Sequence, residues 1–183
     1  VRYQLALTLG EWDDPRAGKA LAALAVKDGG DAWMRAAILS SAVPHAREVL
    51  AAVLENGGGP LVEPLLATVV GTLPKEELGW LKFAVNLANA KQPGAQNLRW
   101  LASLDDGLRR RGIKLAAARS SDDAVVRARA KLILRPAIEA PGLAADLKQS
   151  EATRVAAIAL FGRGFHEAAA ERQALVKLLG GKP

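Results

Sequence analysis

The 183-residue chain contains no cysteine. That absence removes disulfides, thiolate metal sites, thiol nucleophiles and covalent haem attachment through C-x-x-C-H from the chemistry of this segment. It assigns no compartment, because a secreted helical domain can also lack cysteine. Aromatic residues make up only 4% of the chain, so its core has to be filled mainly by alanine and leucine. Both are strong helix formers, and their small or unbranched side chains let helices approach closely. Runs rich in Val, Ile, Thr and aromatics are scarce, which argues against sheet. No apolar run reaches the ~18 residues of a membrane span. No basic segment followed by an apolar one opens the chain as a secretory signal would. The chain begins at Val1 inside an apparent helix and ends in "LLGGKP", so both ends are expected to be cuts in a longer protein.

What is present is helical periodicity, almost from end to end. Apolar residues recur at three- and four-residue spacing after Pro15, Trp33, Pro44, Pro60 and Pro74. Further helices are marked by Leu98–Leu108, Val126–Leu134, Val155–Phe161 and Leu175–Leu179. Asp14 before Pro15 predicts an N-cap with proline at the first helical position, where the missing N–H costs nothing. Asp31, Asp122 and Ser150 stand at similar starts. Glu76 and Glu77 after Pro74 suit a first turn, where carboxylates favour the helix dipole. Gly10, Gly57, Gly71, Gly112 and Gly180 stand where helices stop. "KQPGAQ" (91–96) is the expected irregular connection. Short connections make successive helices antiparallel neighbours.

A phrase recurs along the chain: "VRYQLAL" from Val1, "DAWMRAAIL" from Asp31, "DDAVVRARAKLI" from Asp122 and "SEATRVAAIAL" from Ser150. Each sets an arginine (Arg2, Arg35, Arg127, Arg154) just inside a helix, with alanines behind it. The intervals Arg2–Arg35 and Arg127–Arg154 are 33 and 27 residues, in the range of stacked helical hairpins. The cap-x-x-x-Arg-x-x-Ala phrase resembles HEAT repeats, where the arginine serves the repeat ladder. Physically, a guanidinium can bridge acidic groups and free carbonyls between stacked hairpins. The expected fold is therefore all-α: a right-handed α-α superhelix, a HEAT/armadillo-like solenoid, forming one domain over 1–183.

A closer resemblance is carried by "VRYQLALTLGEWDDPRAGKALAALA", "DAWMRAAILSSA", "DGLRRRG" and "RVAAIALFGRG". These are similar to the helical-repeat region of PVC-type haem-binding proteins, also described as membrane-bound dehydrogenase-like multidomain proteins. The likeness covers both ends of the chain and leaves 60–95 poorly matched. It implies a periplasmic or extracellular parent, with a dehydrogenase-like propeller upstream and a haem domain downstream, and a linking or docking role for this region. Neither activity transfers to any residue here, and no cofactor is expected in this segment.

Candidate chemistry yields mostly architecture. Trp12, Asp13 and Asp14 read as a turn in which the ring packs and the carboxylates cap. Asp105–Asp106 and Asp122–Asp123 receive the same reading, because adjacent residues on a helix do not face each other. His45 and His166 are expected on solvated helix surface. His166-Glu167 with Glu171 is not the H-E-x-x-H zinc signature, and "NGGGP" (56–60) lacks the lysine of a phosphate loop. No G-x-S-x-G elbow occurs.

Charge is the remaining signal. Residues 1–92 hold 9 Lys/Arg against 10 Asp/Glu, whereas 93–183 hold 16 against 9. Arg109, Arg110, Arg111, Lys114, Arg119, Arg127, Arg129, Lys131 and Arg135 fall within 27 residues. Apart from the ladder arginine Arg127, they form the candidate partner-binding patch. An acidic partner surface is implied, with partner domains within the same polypeptide. The function expected is a non-catalytic scaffold. The alternative is a nucleic-acid-binding HEAT-like protein of the DNA glycosylase type, weakened because only Trp100 of the four tryptophans lies near the basic segment. Far-UV circular dichroism checks the fold class: a helical spectrum with negligible strand is expected, and a β-dominated one would reject it.

Overall fold

The computed structural model describes residues 1–72 and 94–180. The helix expected after Pro74, Trp80 within it, and residues 91–93 of the expected connection lie outside the described residues. Gly94, Ala95 and Gln96, read as loop, instead open a helix. The described residues are helical without strands. The chain divides into two compact units, Val1–Leu73 and Pro74–Pro183. No single described helix is long and apolar enough to cross a membrane.

The first unit contains α1 (Arg2–Leu9), α2 (Pro15–Asp28), α3 (Ala32–Ser41), α4 (Ala46–Glu55) and α5 (Val62–Thr72), with a 3-10 turn at Val43–His45. Its caps follow the sequence. Asp14 accepts from the Arg16 N–H with Pro15 at the first helical position, and Asp31 accepts from the Met34 N–H. α1 packs on α3 and α2 on α4, so two hairpins stack in two layers, and α5 closes on α4. Leu21, Ile38, Leu50, Leu65 and Leu66 are buried between them. Burying each such side chain contributes ~1.5–3 kcal/mol.

The second unit repeats this alternation among its described helices. It contains α6 (Gly94–Arg110), a 3-10 segment (Leu115–Ser120), α7 (Ala124–Ala145), α8 (Glu151–Ile158) and α9 (Ala168–Leu178). α6 packs on α8, α7 packs on α9, and α7 also meets α8. Trp100, Leu104, Leu108, Leu134 and Phe165 fill its core. α6 stops in a Schellman arrangement: the Ile113 N–H reaches Leu108 O (3.0 Å) and the Gly112 N–H reaches Arg109 O (2.9 Å). Gly112 takes φ +77, which an L side chain rarely adopts.

One start in the second unit differs from expectation. The cap of α7 is Asp123, not Asp122: its Oδ1 accepts from the Val125 and Val126 N–H groups. The cap therefore stands four residues before the arginine in all three phrases, Asp31/Arg35, Asp123/Arg127 and Ser150/Arg154. α7 also continues through Pro136 and Pro141. Each proline removes one intrahelical donor, which frees the carbonyls of Leu132 and Ala137.

Gly10 marks a close approach between helices in the first unit. A methyl there would lie 2.6 Å from Ser41 Cα, where α1 crosses α3. Its φ of −70 is ordinary, so the demand is for space alone. Gly10→Ala is expected to cost about 1–3 kcal/mol, the usual cost of overpacking. Urea unfolding of the chain reads this directly, and an unchanged midpoint would contradict it.

Candidate functional site

The basic segment divides into arginines that hold backbone and cations that face solvent. Three of the phrase arginines reach back over their own helix start. Arg35 donates to Gly30 O (2.7 Å), Arg127 to Asp122 O (2.8 Å) and Arg154 to Ala144 O (3.4 Å). Arg2 instead pairs with Asp28 at 2.7 Å. The contacts of Arg35, Arg127 and Arg154 thus satisfy carbonyls in the turn or helix end that precedes each helix.

A second group converges on the loop between α8 and α9, residues 159–167. Arg109 donates to Asp105 Oδ2 (2.6 Å) and to the Arg163 carbonyl. Arg119 donates to Phe165 O (2.9 Å). From within the loop, Arg163 pairs with Asp105 (3.1 Å) and with Asp106, and its Nε donates to Ala159 O (2.7 Å). Asp106 leads in holding the Arg163 guanidinium charged, its pKa raised above the ordinary value. His166 sits between the edges of Phe161 and Phe165. Its Nε2 donates to Ala137 O, the carbonyl that Pro141 leaves free. Its Nδ1 meets Glu171 Oε1 at 2.9 Å, and Glu171 also accepts from the Gly162 N–H.

These placements correct three readings. Asp105 and Asp106 cap nothing: Asp105 is wholly buried in mid-helix, and both bind Arg163. His45 and His166 are buried side chains, not solvated ones, because each satisfies a backbone carbonyl. Trp12 lies in its turn but is 59% exposed: its backbone is engaged, with its N–H donating to Leu9 O (3.4 Å) and its carbonyl accepting from His45 Nε2 (3.0 Å). Arg163 was missed altogether. Its only signal was its position between glycines and phenylalanines in "FGRGF", which marks a tight turn but not a partner.

The remaining basic residues are Arg110, Lys114 and Lys131, all exposed, Arg111 and Arg129, half-buried, and Arg135, exposed and paired with Glu139 at 3.0 Å. Trp100 is 1% exposed in the core, so no base can stack on it. No family model matches the sequence, and no curated protein or solved structure matches it.

In the first unit, a cleft of about 480 Å³ is lined by Asp13, Asp14, His45, Arg47 and Glu48, among others. Asp14 is committed to Arg16, whose side chain, ahead of its backbone N–H, holds the Asp14 carboxyl below the usual carboxylate range. His45 Nε2 must donate, because a carbonyl only accepts. Gly18 makes room beside it: a methyl would lie 2.2 Å from Glu48 Oε2 and 3.0 Å from His45 Nδ1. Among the described residues, no group of three or more His, Asp or Glu is placed to hold a metal ion.

Chemically, a carboxylate flanked by two guanidinium groups is charge-compensated and held in position. Asp105 Oδ1 is also buried without a partner among the described residues. Asp105→Asn is expected to lower stability by about 2–3 kcal/mol, less than the ~3–5 of a fully buried pair because Arg163 keeps Asp106. Arg135→Ala, which removes an exposed i,i+4 pair, should stay within about 0.5 kcal/mol. Thermal and urea unfolding of both variants check the contrast, and equal losses would refute it.

Proposed function

We propose that this chain is a non-catalytic scaffold of HEAT-like stacked hairpins, a protein-interaction module whose second unit docks an acidic protein surface. Following the resemblance of its repeated phrases, its setting is a larger extracytoplasmic haem- or dehydrogenase-like protein, and its partners are domains of the same polypeptide. One observation carries this reading. Arg109, Arg119 and Arg127 are engaged by backbone carbonyls, whereas Arg110, Lys114 and Lys131 remain exposed, and Lys131 adjoins the exposed apolar Leu132 in the chain. Cations bordering apolar surface suit an interface with an acidic partner. The burial of Trp100 speaks against the nucleic-acid alternative.

Two measurements test the proposal. The polypeptide encoded on either side of this segment, produced separately, is expected to bind the chain in titration calorimetry. Reversing Arg110, Lys114 and Lys131 to glutamate should weaken that binding at least about tenfold, as loss of close charge pairs does. Labelled duplex and single-stranded DNA should bind no tighter than ~10⁻⁴–10⁻⁶ M at physiological salt, the range of nonspecific contact. Submicromolar DNA binding abolished by the same reversals would replace the scaffold reading with the nucleic-acid one.

A further inference from the structure

We infer that the partner presents an acidic amphipathic helix, laid along the amino-terminal half of α7. This rests on the docking function proposed above and names the ligand of that same surface.

At 100° per residue, Val125, Ala128, Leu132 and Arg135 fall on one narrow stripe. Their spacing of three and four residues is that of the seam positions in a pair of packed helices. All four are exposed, with Leu132 at 58% and Val125 at 50%. The opposite face, through Val126, Ala130, Ile133 and Leu134, is buried in the unit's own core. The exposed apolar stripe is therefore additional to the face that folds the protein.

Charge specifies the occupant. Lys131 and Arg129 flank the stripe on opposite sides, each about 80° from its centre by the same period. In paired helices these flanking positions choose the partner, and two cations there select glutamate or aspartate. Arg129 is half-buried, and its Nη1 is buried without an acceptor among the described residues. Arg135 pairs with Glu139 on the surface, an exposed contact that is cheap to exchange. The stripe ends at Pro136, which occupies the next flanking position and interrupts the helix's own hydrogen bonding.

The test uses a blocked synthetic peptide of about three heptads, with leucine at the seam and glutamate at the flanking positions, which repels itself and so stays available. Its control carries lysine in place of glutamate. Titrated into the intact chain and followed by amide NMR, the acidic peptide should shift the 124–135 resonances saturably. The lysine peptide should not. Leu132→Asp and Lys131→Glu, both at exposed positions, should each weaken binding about tenfold, and Lys27→Glu on α2 should leave it unchanged. Equal binding of both peptides, or shifts away from α7, would overturn the inference. Were the peptide silent while the flanking polypeptide still bound in a charge-dependent way, the helix assignment would fall and the docking function would stand. Silence of both would remove both.

Discussion

The second unit depends on one ion cluster, Arg163 with Asp105 and Asp106. Asp105 is buried on α6, and an uncompensated carboxylate there would be prohibitively costly. Arg163 compensates it from the loop between α8 and α9, and Arg109 does so from one turn along α6. Because Arg109 also holds the Arg163 carbonyl, helix and loop fix each other. Arg119 and His166 then fasten the same loop to the 3-10 segment and to α7. A buried ion pair adds little net stability over apolar packing, but losing one partner is expensive. Its effect here is to set the path of a loop that short apolar residues could not position uniquely.

His166 shows how a local defect becomes a tertiary contact. Pro141 within α7 leaves the Ala137 carbonyl without its helical donor. A buried carbonyl needs a donor, and the imidazole that supplies it comes from 29 residues further along the chain. His45 plays a comparable part in the first unit, where it holds the Trp12 carbonyl of a turn. In each unit one histidine thus donates to a backbone carbonyl.

Arginine therefore has three separate uses in one fold. Arg35 and Arg127 close the turns before their own helices, Arg109, Arg119 and Arg163 tie the α8–α9 loop, and Arg110 faces solvent. The functional surface proposed for the second unit is what remains once the first two uses are subtracted. Net charge alone overstates that surface, because a guanidinium bound to backbone carbonyls has fewer donors left for a partner.

The sequence by itself determined the helices, most of their caps and the identity of many core faces. Those features follow from interactions within a few residues: Asp14 with Arg16, Asp31 with Met34, Ser150 with Thr153, and apolar spacing at three and four. It also determined the recurrent arginine, because cap and guanidinium act on the same local turn. Tertiary structure decided the fate of Asp105, Asp106, His45 and His166, each of which has a partner 29 to 58 residues away. Nothing in the spacing of an aspartate pair reveals that an arginine 58 residues later will meet it. That meeting requires α6 and α8 to be stacked first, and side-chain burial, hence the demand for a partner, exists only after the helices have packed.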